Sequence, residues 1–134
     1  MVTSNMYDTY KQNSIFTASP EELTLMLYNG LIKFIMLSQK AIEDKDIQKA
    51  HESIIRAEDI IIEFKSTLDM QYELSNGLAL LYDYMLDRLF DANLKKDPEI
   101  LAEVLHFAKD LRDTWAQAMK LAKQQGRKPI AVSE

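Results

Sequence analysis

Glu103-Val104-Leu105-His106 holds two metal-ligating side chains at a spacing that puts them one helical turn apart on a single face. In helical di-iron and di-manganese proteins that motif occurs on two helices, while two further helices each add a glutamate, all directed inward. The other histidine, His51, has Gln48 three residues before it, so the set is left incomplete. The apolar period also sends Glu103 and His106 to the polar side of their own segment. Asp83, Asp87 and Asp91 recur at four-residue steps and could gather a cation. A calcium loop would add glycine and backbone carbonyl ligands, so the row reads as a solvated helix face. The only glycines are Gly30, Gly77 and Gly126, too few and too far apart for a phosphate-cradling loop or a nucleophile elbow. With two histidines, no cysteine and scattered carboxylates, no nucleophile stands beside a base. The expectation is no enzyme, no metal and no cofactor.

Composition narrows the remaining classes. The chain has 134 residues, enough to bury a single core, with 47% hydrophobic and 28% charged residues, which excludes wholesale disorder. A formal net charge of −5 argues against nucleic acid as a partner, since phosphates must be neutralised by clustered cations. Lys120, Lys123, Arg127 and Lys128 do cluster, but positive charge near a helix C-terminus is favourable in itself. Met1 to Asp8 has neither a basic start nor an apolar stretch, so no secretory signal is expected. The longest apolar run, Leu23 to Leu37, is broken by Asn29, Gly30 and Lys33 and is too short to span a bilayer. A cytoplasmic protein without membrane insertion is expected.

With three glycines and three prolines, the chain has few hairpin signals and favours long helices. Ser19 can cap a first helix, with Pro20 in its first turn and Glu22 completing a capping box. That helix should reach about Ile42. Asp46 caps a second, running to about Met70. A third runs from about Glu73 to Lys95, with Ser75-Asn76-Gly77 able to delay its start. Asp97-Pro98-Glu99 opens the fourth, which fades near Lys123. Short turns between long helices make neighbours antiparallel, and the fold class is an all-α, up-down four-helix bundle. An N-terminal extended or short-helical cap segment precedes it. The expected organisation is residues 1–18 as that cap, 19–124 as the bundle and 125–134 as a flexible tail.

The second helix shows a clean seam at Ile47, Ala50, Ile54, Ala57, Ile61, Phe64 and Leu68. The fourth resembles it, with Ile100, Val104, Phe107, Leu111, Trp115, Ala118 and Ala122 inward. The first is apolar nearly all round. Leu23, Leu27, Leu31 and Phe34 can fill the core, which leaves Leu25, Tyr28, Ile32, Ile35 and Met36 over. Off the seams, Ile55 and Ile62 lie one heptad apart beside His51 and Glu58. On the third helix Ala79, Leu86 and Phe90 form a second stripe beside the seam from Leu74 to Ala92. A wide stripe can simply pack against two neighbours. Surplus on three helices points instead to a binding face, because soluble proteins seldom leave large apolar patches uncovered. The N-terminal residues Tyr7, Tyr10, Ile15 and Phe16 could plug such a face. A permanent homodimer through it and a small metalloenzyme are the competing readings.

Three stretches carry a family resemblance: Tyr7-Asp8-Thr9-Tyr10-Lys11-Gln12-Asn13, Thr17 to Leu23, and Met26-Leu27-Tyr28-Asn29-Gly30. Together with Leu81-Tyr82-Asp83-Tyr84-Met85 and Arg112-Asp113-Thr114-Trp115, the chain resembles the flagellar secretion chaperone family, FliS, over about Tyr7 to Ala122. The resemblance implies a small antiparallel bundle that binds the disordered C-terminal segment of flagellin. It would keep flagellin from polymerising in the cytosol and assist its delivery to the flagellar type III export apparatus. It also implies that the N-terminal segment can occupy part of the same surface in the unbound chain. Tyr7 and Tyr10 join the candidate partner-binding residues through the motif, whereas Ile55, Ile62, Ala79, Leu86 and Phe90 join them through helical geometry. A monomer or weak homodimer is expected, with no nucleic-acid partner.

Overall fold

The computed structural model describes residues 17–126, and within them four helices follow one another. They are α1 (Pro20–Glu43), α2 (Ile47–Ser66), α3 (Glu73–Lys95) and α4 (Pro98–Gln125). α1 and α3 each pack against both α2 and α4, so they stand diagonally opposite each other in an all-α four-helix bundle. The N-terminal cap segment expected over residues 1–18 lies almost wholly outside the described residues.

The helix starts follow the local signals. Ser19 Oγ accepts the Glu22 N–H at 3.2 Å, Asp46 accepts from Lys49 N at 3.1 Å, and Asp97 accepts from Glu99 N at 2.9 Å. α2 stops at Ser66, four residues short of the expected Met70. The Ser66 and Thr67 hydroxyls donate back to the Glu63 carbonyl at 2.8 and 3.2 Å, and these local bonds compete with another helical turn. α3 starts at Glu73 without delay, because Ser75 Oγ donates to the Asp69 carbonyl at 2.7 Å and ties the turn to the new helix. At the other end Gly126, at φ 70°, takes the left-handed cap position that ends α4.

The inward face of α1 is rotated from the expected one. The structure buries Tyr28, Leu31, Ile32, Ile35, Ser38 and Ala41, while Leu27 and Phe34 are only partly buried. Tyr28, Leu31, Ile35 and Ser38 follow three- and four-residue steps and form the centre of the buried arc. The stripe through Leu27 and Phe34 is one flank of that arc. α1 is nevertheless not covered all round, since Met36 is 51% exposed. Much of the apparent surplus on α1 is therefore core.

That core also takes Ile54, Ala57, Ile61 and Phe64 from α2, Met85, Leu89 and Ala92 from α3, and Leu101, Val104 and Ala108 from α4. Across the diagonal, the Tyr28 and Tyr82 hydroxyls share a buried hydrogen bond of 2.8 Å. The Phe64 ring lies 4.3 Å from the Tyr28 ring and 5.7 Å from the Tyr82 ring, centre to centre. Burial, first among the causes, pushes both phenols above their ordinary pKa, so the pair stays neutral and satisfies its own polarity.

Candidate functional site

On α2, His51, Ile55, Glu58, Ile62 and Lys65 follow at steps of four, three, four and three. On α3, Ala79, Asp83, Leu86, Phe90 and Asn93 repeat those steps. Such steps keep each set on one stripe of its helix. Two interhelix contacts bring the stripes face to face: Asn93 Nδ2 donates to His51 Nδ1 at 2.9 Å, and Lys65 forms an ion pair with Asp83. Early positions of α2 thus meet late positions of α3, as antiparallel helices require. By that register Ile55 lies across from Phe90 and Ile62 across from Leu86.

Between the two pins the surface is apolar and open. Ile55 is 38%, Ile62 53% and Phe90 62% exposed, while Leu86 is half-buried against the core. Ala79 is half-buried and sits beyond the Lys65–Asp83 pin, toward the start of α3. Four of the seven candidate residues therefore share one groove, and Ala79 extends its line. Tyr7 and Tyr10 lie outside the described residues. Glu58, between the two isoleucines, has its carboxyl pushed above the ordinary range, first by burial, then by Asp59, with His51 pulling the other way.

The other flank of α3 is built differently. Tyr84 Oη donates to Glu103 at 2.9 Å, Arg88 Nε donates to the other Glu103 oxygen at 2.7 Å, and Arg88 also pairs with Asp91 at 3.3 Å. The hydrogen bonds from Arg88 and Tyr84 hold the Glu103 carboxyl below its usual range. The E-x-x-H pair is accordingly divided. Glu103 is committed to α3, whereas His106 faces Asp110 at 3.2 Å on its own helix.

An apolar cavity of ≈ 380 Å³ opens at the end of the bundle where α1 and α3 begin and α2 and α4 finish. Leu23, Leu74, Leu78 and Trp115 are among its walls, and Tyr28 and Tyr82 also line it. Trp115 Nε1 donates to the Glu21 carbonyl at 3.0 Å, which fixes the indole as a wall. Sequence periodicity missed this feature. Leu23, Leu74, Leu78 and Trp115 belong to ordinary seams, and periodicity does not tell which end of a bundle is left unfilled. The available signal was the position of Leu23 and Leu74 in the first turns of their helices. No helix among the described residues is long and apolar enough to cross a membrane.

Residues 3–122 match the family model described as Flagellar protein FliS. The chain is 48% identical over 120 residues to the flagellar secretion chaperone FliS of Bacillus subtilis (strain 168), an alignment covering 90% of each chain. To the protein of the same name in Campylobacter jejuni it is 32% identical over 113 residues, 83% of this chain and 88% of that one. Against the Vibrio cholerae counterpart it is 30% identical over 107 residues, covering 78% and 79%.

Proposed function

The chain belongs to the FliS family, and from that premise we propose that it is a cytosolic export chaperone for flagellin. In this reading it binds the disordered C-terminal segment of newly made flagellin, prevents premature polymerisation and assists delivery to the flagellar type III export apparatus. The observation that carries the reading is the groove between α2 and α3, where Ile55, Ile62 and Phe90 stand exposed between two polar pins.

The physics of the client sets the demand. A disordered segment loses conformational entropy on ordering, at a cost of about 2–5 kcal/mol or more, which burial of about 1,000–3,000 Å² can offset. A helix laid in a groove meets that demand with apolar anchors at helical spacing. Ala79 and Leu86 would extend the contact along α3. Residues 1–18, with Tyr7 and Tyr10, act as a cap that competes for the same surface until the client arrives. The competition lowers apparent affinity while keeping apolar surface hidden. The working unit is a monomer or weak homodimer.

Calorimetry against a synthetic flagellin C-terminal segment, with a scrambled peptide of the same composition as control, tests the reading. Saturable binding of the native-order peptide alone is expected. Equal heats from both peptides, together with a concentration-independent dimer in sedimentation, would assign the apolar face to self-association instead.

A further inference from the structure

Glu58 follows Ile55 by three residues and precedes Ile62 by four, so its carboxyl shares their stripe in the middle of the groove. It is half-buried, and among the described residues it makes no hydrogen bond or ion pair. The cations that could neutralise it are engaged elsewhere. Lys65 pairs with Asp83, and Arg88 is turned to Glu103 and Asp91 on the far flank of α3. His51 alone draws the Glu58 carboxyl down, less strongly than burial raises it, and its ring is held by Asn93. Asp87, next to Leu86 in sequence, is off that stripe on the solvent-facing back of α3, so Glu58 is the unpaired charge within the groove. The groove is thus apolar with an excess of negative charge.

A partly desolvated carboxylate without an ion-pair partner costs stability, and a glutamine or an apolar residue at that position would avoid the cost. A cation arriving on the helix that covers Ile55 and Ile62 would turn the cost into attraction, because charge-assisted hydrogen bonds strengthen as water leaves. The pins also set the length of the occupant's helical part, with Ala79 beyond them left to the chain that continues from it. His51 and Lys65 are fourteen positions apart, about 21 Å at the α-helical rise, which a helix of roughly four turns would fill.

We propose that the α2–α3 groove selects an amphipathic helix of about four turns carrying a lysine or arginine among its apolar anchors, and that Glu58 receives that cation. This rests on the reading of the groove as the client surface. Glu58 is here a specificity-determining residue, which rejects helices with a carboxylate at the facing position and favours those with a base.

The probe is the flagellin C-terminal peptide, in the native form and in forms with each lysine or arginine replaced in turn by glutamine. Each is titrated into the wild-type chain, the Glu58→Gln variant and the Ile55→Asp, Ile62→Asp double variant, with circular dichroism checking that all three fold. Glu58→Gln is expected to weaken native-peptide binding about tenfold, the size of one charge-assisted bond. One basic-to-glutamine peptide should lose a similar factor against wild type and almost nothing further against Glu58→Gln. At about pH 5, pairing lowers a carboxyl pKa that starts high, so wild-type binding should release protons to the buffer, and Glu58→Gln should not. Loss of binding in the double isoleucine variant, with no effect of Glu58→Gln and no coupled basic position, overturns this inference and leaves the groove reading intact. Unchanged binding in the double isoleucine variant overturns both.

Discussion

The two flanks of α3 are built from similar materials to opposite ends. Toward α4, Tyr84, Arg88, Asp91 and Glu103 form a closed polar clasp, and Tyr84 packs edge-on against Phe107 with centroids 6.0 Å apart. Toward α2, polar contacts occur only as pins at His51–Asn93 and Lys65–Asp83, with exposed isoleucine and phenylalanine between them. A closed seam needs nothing further, since its charges and donors are matched within the chain. The pinned seam holds its helices in register while leaving apolar area in water, an arrangement that gains free energy only when something covers it. Closed and open seams on one helix are thus told apart by what stands between their polar contacts.

The sharpest way to break this contrast uses two neighbours on α3. Leu89 is fully buried and Phe90 is 62% exposed. Leu89→Ala should cost about 2–5 kcal/mol of folding stability through lost transfer energy and the cavity left behind. It should affect peptide binding only in proportion to the unfolded fraction. Phe90→Ser should change stability by less than about 0.5 kcal/mol yet weaken binding about tenfold or more, as removal of a central aromatic anchor does. Denaturant titrations paired with calorimetry decide the matter. Comparable losses of stability in both variants would mean that Phe90 belongs to the core and that the flank is closed.

Next in size is the double change Ile55→Asp, Ile62→Asp. Both side chains already face water in part, so the helix should survive with a loss of about 1 kcal/mol from propensity and repulsion by nearby carboxylates. Binding of the flagellin segment should fall by roughly a hundredfold or more, since two anchors are removed and the groove becomes more negative. A charge reversal on the α4 flank, Arg88→Glu, should leave binding within about threefold, the small change typical of a charge outside the contact. Equal effects from the two flanks would erase the distinction between them.

Much of this was legible in the sequence, for identifiable reasons. Ser19-Pro20, Asp46 and Asp97-Pro98 mark helix starts because their side chains satisfy backbone donors locally, with no help from the rest of the fold. The seven-residue step from Ile55 to Ile62 and the four-residue step from Leu86 to Phe90 each mark a stripe for the same local reason. The inward direction of α1 was not legible, because a helix rich in apolar residues on several sides offers many candidate faces. Only packing against α2 and α4 selects the arc through Tyr28, Leu31 and Ile35. The early end of α2 was hidden too, since Leu68 continues the apolar seam while the Thr67 hydroxyl, bonded to the Glu63 and Phe64 carbonyls, terminates the helix. The bundle-end cavity and the unmatched charge of Glu58 depend on which side chains stay away, and no periodicity records that.

The smallest effect separates the flanks by sign rather than size. Glu103 on the closed flank has its folded pKa lowered, first by the Arg88 hydrogen bond and then by that of Tyr84. A lowered carboxyl contributes stability that is present above its unfolded value, near pH 4.3, and is lost as pH falls through the folded pKa. Glu58 on the receptive flank has its folded pKa raised, first by burial. In that case the native state binds more protons than the unfolded one, so stability declines as pH rises from the unfolded value through the folded pKa. Glu103→Gln should therefore lower stability at pH 7 and make less difference in acid, whereas Glu58→Gln should raise stability at pH 7 by less than about 1 kcal/mol, screened by solvent. Urea titrations of both variants from about pH 3 to pH 7 read the two slopes. If Glu58→Gln instead destabilises the free chain at neutral pH, its carboxylate is already matched within the chain and the α2 flank is as finished as the other.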